Sequence, residues 1–122
     1  MRALLVGGTA LIVAWAAASA APSATALVPK DIQATFFTGT PFTSQSGGIK
    51  YKMTYNANGK MTREPTGNGG FKGEGTWKLS GDGFCSTWKG SKANCFRVLT
   101  AGENKWSVVK GAGNAVAATW TK

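Results

Sequence analysis

The sequence predicts an all-β domain, an antiparallel up-and-down meander of about eight short strands that forms a small barrel or sandwich with one disulfide. From residue 40 onward, short runs that alternate apolar and polar residues are separated by Gly and Asn, at intervals of about 8–12 residues. The 17 glycines disfavour long helices. The two cysteines, Cys85 and Cys95, flank one of the predicted turns.

Residues 1–20 have the organisation of a secretory signal peptide. Arg2 supplies a positive start, residues 10–15 are apolar, and residues 18–20 (Ala-Ser-Ala) offer the small side chains that signal peptidase accepts. We expect cleavage after residue 20, with sites in residues 21–24 as alternatives. An uncleaved anchor is the competing interpretation, but Gly, Ser and Thr interrupt the run, and a membrane span needs about 20 solidly apolar residues.

The remainder divides into an N-terminal segment and one domain, since 122 residues do not suffice for two separate cores. Residues 21–39 form the segment, in which residues 32–37 are expected to be a short helix or strand that plugs one end. Residues 40–122 form the β-barrel-like domain.

The clearest strand is predicted over residues 49–55, because its side chains alternate strictly. Asn58-Gly59 follows as a hairpin signal, so residues 60–64 should return beside it. Residues 65–70 are a glycine-rich loop. The alternation predicts four apolar side chains inside and two lysines outside: Ile49, Tyr51, Met53 and Tyr55 inward, Lys50 and Lys52 outward.

The same alternation and punctuation predict the other strands. A first strand is expected at residues 40–43. The later ones are expected at residues 71–80, 84–88, 95–100, 105–109 and 115–121.

Cys85 and Cys95 are predicted to form a disulfide. A hairpin centred on Gly90 places them directly opposite each other, and an exported chain meets an oxidising compartment. A metal site is the alternative, but two thiols in a chain without histidine cannot supply four ligands. Closing so short a loop contributes about 2–3 kcal/mol.

The chain is strongly basic, with 14 Lys and Arg against 5 Asp and Glu and a formal net charge of +9. The basic residues are spread from Lys30 to Lys122 and alternate with apolar ones, unlike the charge blocks of a disordered tail. Two interpretations remain open: a solvated face that keeps the protein soluble, or attraction to an anionic surface such as lipid headgroups, lipopolysaccharide, acidic polysaccharide or nucleic acid.

Catalytic chemistry has few candidate residues. The absence of histidine removes the usual general base and every Ser-His or Cys-His pair. Glu64 and Glu74 could face each other across the glycine loop as glycosidase carboxylates do, although two exposed strand-end carboxylates is the simpler interpretation. No phosphate-binding glycine pattern occurs, and neither a cofactor nor a metal is expected.

Aromatic residues interleaved with basic ones are the best candidates for binding. Such stripes fit single-stranded nucleic acid or sugar rings stacked on Trp, whereas the competing interpretation is that the aromatics fill the barrel. The candidate binding residues are Lys50, Lys52, Lys60, Arg63, Tyr51, Tyr55, Trp77, Trp88 and Trp106.

Residues 75–88 read GTWKLSGDGFCSTW and residues 95–98 read CFRV. This arrangement, preceded by Tyr55-x-x-x-Gly59, resembles an uncharacterised family of small bacterial exported proteins with the pattern G-T-W-x-x-x-G-D-x-x-C-x-x-W and then C-[FY]-R-V. The resemblance covers residues 38 to 110 and implies export and the disulfide, but no biochemical function. A looser architectural likeness connects the chain to avidin-like and lipocalin-like barrels, which are also up-and-down meanders.

These observations favour a non-catalytic binding module, periplasmic or secreted, for a small ligand or an anionic component of the cell envelope. The alternative is a basic protein that binds nucleic acid or another polyanion by charge. An enzyme that uses paired carboxylates ranks third.

N-terminal sequencing of the protein recovered from the cell envelope or the medium tests the predicted export. We expect the mature chain to begin at Ala21 or within the next few residues, because the small-residue end of the leader lies there. A product that still begins at Met1 would contradict the signal peptide.

Overall fold

The computed structural model describes residues 24–122, so the predicted signal peptide and residues 21–23 lie outside the described residues. The described chain forms one short helix and eight antiparallel strands, which confirms the all-β class and the meander. The elements are α1 Pro29–Phe36, β1 Phe42–Ser46, β2 Ile49–Tyr55, β3 Lys60–Pro65, β4 Gly73–Leu79, β5 Phe84–Trp88, β6 Asn94–Gly102, β7 Lys105–Lys110 and β8 Val116–Thr121.

The sheet closes on itself, so the domain is a barrel and not a sandwich. Every strand pairs with the next one along the chain, and β8 pairs with β1. Thr121 lies opposite Thr43, and Thr119 lies opposite Gln45. Closure pairs the two strands that would otherwise form exposed sheet edges.

Strand β2 has the two faces that its alternation predicts. Tyr51, Met53 and Tyr55 are buried, whereas Lys50 and Lys52 are exposed. The following turn uses Gly59 at a φ of +91°, a conformation that glycine adopts readily.

Two strands, β1 and β4, begin two residues later than predicted, because glycines bend the backbone before them. β4 begins at Gly73 and not at residue 71, since Gly69 and Gly70 have φ values of +86° and +80°. β1 covers residues 42–46 and not 40–43. Gly39, at a φ of +90°, bends the chain before this strand, and Gly47 begins the turn after it.

The predicted plug is a helix, α1. Pro29 begins it, at a position where the missing N–H breaks no helical hydrogen bond, and Asp31 places a carboxylate in the positive first turn. Ile32 and Phe36, four residues apart, share one fully buried face. Within residues 24–122 no helix is long and apolar enough to span a membrane.

Helix α1 closes the barrel with aromatic contacts. The ring of Phe36 lies 4.8 Å from the rings of both Trp106 and Trp120, centroid to centroid. The ring of Phe37, just beyond the helix, stacks on Tyr55 at 4.6 Å. We call this the plugged end. The opposite end, formed by residues 47–48, 66–72, 89–93 and 111–115, is called the open end.

Residues 25–27 of the N-terminal segment attach along β6. The N–H of Leu27 donates to the carbonyl of Val98, and the N–H of Thr100 donates to the carbonyl of Thr25, both at 2.8 Å. The segment thereby satisfies backbone groups of β6 beyond the point where its pairing with β5 stops.

The predicted disulfide is present. Cys85 on β5 lies directly opposite Cys95 on β6, and the Cα atoms are 3.9 Å apart. The neighbouring Lys78–Cys85 pair places this bridge on the outer face. The disulfide therefore joins two strands without occupying interior volume.

The plug predicts a large difference between two phenylalanines. Phe37→Ala should lower the free energy of unfolding by about 3–5 kcal/mol, because it removes a fully buried ring and leaves a cavity. Phe71→Ala is the matched control, since its side chain is 80% exposed and should change stability little. Urea denaturation followed by tryptophan fluorescence measures both, and equal losses would contradict the plug.

Candidate functional site

The barrel interior contains a cavity of about 180 Å³ in the half nearer the open end. Its floor includes the fully buried Tyr55, Phe84 and Trp120. The residues nearer the loops, such as Ser46 and Trp88, are partly exposed, so the cavity communicates with solvent at that end. A dry cavity of about 150 Å³ accommodates benzene. The space therefore suits a single ring with one small substituent.

The cavity exists because small side chains occupy inward positions on three strands. Ser44 on β1 and Ser86 on β5 are buried at 4% and 5% exposure, and Ala118 on β8 is partly buried. An eight-stranded barrel is just wide enough for its side chains to fill it, so small residues leave space. On the same strands, Phe42 and Trp120 fill the plugged half. The sequence thus divides the interior into a packed half and a hollow half.

Tyr55 supplies a neutral hydroxyl to the cavity. Desolvation by burial raises the pKa of Tyr55 well above its ordinary value, and the positive charge of Arg63 opposes part of this rise. The raised pKa therefore keeps the phenol protonated into alkaline solution, and a protonated phenol can donate a hydrogen bond.

Arg63 is the charged residue of the cavity wall. Its guanidinium carbon lies over two rings, 5.1 Å from the centroid of Tyr51 and 4.5 Å from that of Trp88. Its Nε is buried and has no hydrogen-bond partner among the described residues. An unsatisfied buried N–H of this kind costs about 1–3 kcal/mol.

Gly73 makes room for this arrangement. A Cβ at this position would lie 3.0 Å from Nε of Arg63 and 3.3 Å from an edge carbon of Trp88. Both distances are tighter than ordinary contacts, so a side chain would push the two apart. The absence of a side chain at Gly73 is therefore a condition for the Arg63–Trp88 contact.

The glycine-rich loop 66–72 packs on the rim of the cavity. A Cβ at Gly70 would lie 2.8 Å from the hydroxyl oxygen of Tyr51, so the loop backbone approaches this ring closely. Two large apolar side chains at the open end, Phe71 and Val116, are exposed. The entrance is therefore partly apolar.

A wider groove of about 620 Å³ lies outside the barrel and contains both predicted carboxylates, Glu64 and Glu74. They are not directly opposite each other, because Glu74 lies opposite Thr62. The Glu64 carboxylate pairs with Lys52 at 3.5 Å and with Lys72 at 3.8 Å. Both glutamates are exposed, so the groove offers a solvated charged surface and not a sheltered site.

The structure separates the predicted aromatic residues. Tyr51, Tyr55 and Trp88 line the cavity. Trp77 and Trp106 pack instead against the end of α1, as the core-filling interpretation expects.

The predicted basic residues also separate. Lys50, Lys52 and Lys60 are exposed on the outer face. Arg63 differs from these lysines, because it lies on the inward side of β3 with Met61 and lines both the cavity and the outer groove.

Sequence reasoning missed the small residues of the cavity wall, Ser44, Ser86 and Ala118. Their signal is parity, since each is an even number of residues from an inward aromatic of its own strand. In a closed barrel, a small residue at such an inward position leaves space in the interior.

Within residues 24–122 no group of three or more His, Cys, Asp or Glu residues could hold a metal ion. No protein-family model, curated protein or solved structure matches this sequence. The geometry of the cavity is therefore the feature of this protein that bears most directly on its function.

The raised pKa of Tyr55 predicts a pH dependence of stability. In the unfolded chain this phenol ionises near its ordinary pKa of 10.0, whereas the folded state keeps it protonated. Stability is thus fully present below pH 10 and falls above it, by at most about 1.4 kcal/mol per pH unit for one proton. Urea denaturation between pH 9 and 11 should show a smaller loss for Tyr55→Phe than for the wild type. Equal losses would mean that Tyr55 ionises normally in the fold.

Proposed function

We propose that this protein is a non-catalytic, exported binding module that takes a small ligand into the open end of the barrel. The observation that carries the proposal is the hollow half of the interior, about 180 Å³, lined by small residues and open to solvent at one end. Ligand sites are typically concave and mostly apolar, with a few polar groups that orient the ligand. The aromatic floor, the serine hydroxyls and Arg63 fit that description.

The size of the cavity limits the ligand. Typical drug-sized pockets occupy about 300–1,000 Å³, so this one is small. A single ring with one small substituent fits, as does the end group of a longer molecule whose remainder stays outside. The up-and-down barrel is compatible with such a role, although a fold alone does not specify a function.

Binding of a polyanion by the outer lysines is the competing function. Lys52 and Lys72 share the carboxylate of Glu64, which reduces the net charge of this part of the surface. The interior is therefore the better-supported site.

A wall substitution tests the proposal. Ala118→Leu projects a larger side chain into the cavity, whereas Ala34→Leu makes the same chemical change on the exposed side of α1. Calorimetric titration with benzyl alcohol, benzamide and benzoate should detect binding of at least one by the wild type and Ala34→Leu. Ala118→Leu should lose it.

The competing function predicts the reverse pattern. Single-stranded DNA would bind, its affinity would fall steeply with salt, and Lys50→Gln with Lys52→Gln would weaken it. That pattern, with no ring compound bound, would overturn the proposal.

A further inference from the structure

Arg63 is in an unusual position for an arginine in a small barrel. It is on the inward face of β3, between Met61 and Pro65, and it lines the cavity. The two aromatic rings beneath its guanidinium stabilise the charge through their π faces. Such contacts use the faces of the rings and leave the edge of the guanidinium available for hydrogen bonds.

Within the described chain no carboxylate neutralises this charge. The ion pairs there are Lys52–Glu64 and Lys72–Glu64, and neither includes Arg63. Glu64, although adjacent in sequence, faces outward and is engaged by the two lysines. Nε of Arg63 is buried without an acceptor.

A half-buried arginine that no carboxylate neutralises favours an anionic partner. The planar fork of a guanidinium matches the paired oxygens of a carboxylate or phosphate better than any neutral group. The serine hydroxyls of Ser44 and Ser86 offer further polar contacts lower in the cavity, and Trp120 offers an apolar floor.

We propose that the cavity recognises a small ring-bearing organic anion, either a carboxylate or a phosphate monoester. The anionic group binds the edge of Arg63, and the ring packs on the aromatic floor. This inference rests on the proposed function, because it assigns a ligand class to the same cavity.

Arg63 lines both the cavity and the outer groove. An experiment must therefore distinguish an anion bound inside the barrel from one bound in the groove. Lys89 lines that groove and not the cavity. Lys89→Gln therefore removes the same unit of charge from the outside and serves as the matched control for Arg63→Gln.

The test uses two isosteric probes, one anionic and one neutral, and a larger second anion. Benzoate, phenyl phosphate and the neutral benzamide are titrated calorimetrically into the wild-type chain. At least one anion should bind about tenfold more tightly than benzamide, because hydrogen bonds to charged groups are the stronger ones. The order of benzoate and phenyl phosphate identifies the anionic group.

Three variants show which side chain recognises the anion. Arg63→Gln should abolish the preference for the anion and leave benzamide binding within about twofold, while Lys89→Gln should keep the preference. Arg63→Lys, which retains the charge but not the fork, should lie between them and serves if Arg63→Gln does not fold. Far-UV circular dichroism establishes that each variant is folded.

The failures are distinguishable. Equal binding of benzoate and benzamide by the wild type overturns the anion site and leaves the cavity as a binding site. A preference that survives in Arg63→Gln but not in Lys89→Gln moves recognition to the outer groove and also overturns it. Binding of none of the ring probes, including benzyl alcohol, overturns both this inference and the proposed function.

Discussion

The aromatic contacts between the end of α1 and the barrel are the interaction on which the rest of the structure depends. Phe36 and Phe37 are almost fully buried, and their rings meet those of Tyr55 and Trp120. Trp120 lies on the last strand, which pairs with the first, so the plug also packs on the seam that closes the sheet. One cluster therefore fixes the closed end and supplies the floor of the cavity.

The two halves of the interior serve different purposes. The plugged half buries large aromatic side chains, and this burial provides most of the favourable hydrophobic energy. The open half contains serines, alanine and an arginine, which contribute less to stability. The proposed binding role would explain this division, because a cavity that takes up a ligand must remain unfilled.

The outer surface and the open-end loops stabilise the barrel without filling the cavity. The disulfide joins β5 to β6 from outside, so it takes no interior space. The backbone approaches the side chain of Tyr51 at Gly70 and that of Arg63 at Gly73, and a larger residue at either position would collide with them. The lysines of the outer face remain in water, and a charged, solvated surface favours solubility.

What the sequence determined by itself is local. The period-two alternation assigned the faces of β2, glycine and asparagine marked the turns, and symmetry about Gly90 paired the cysteines, because each depends on neighbours in the chain. The tertiary structure alone decided barrel over sandwich, helix over strand for the plug, and which side chains surround Arg63. Alternation puts Arg63 on the same side of β3 as Met61. Its interior site depends on Tyr51, Gly73 and Trp88, which meet only when distant strands pair, and such contacts leave no signal in any local run of residues.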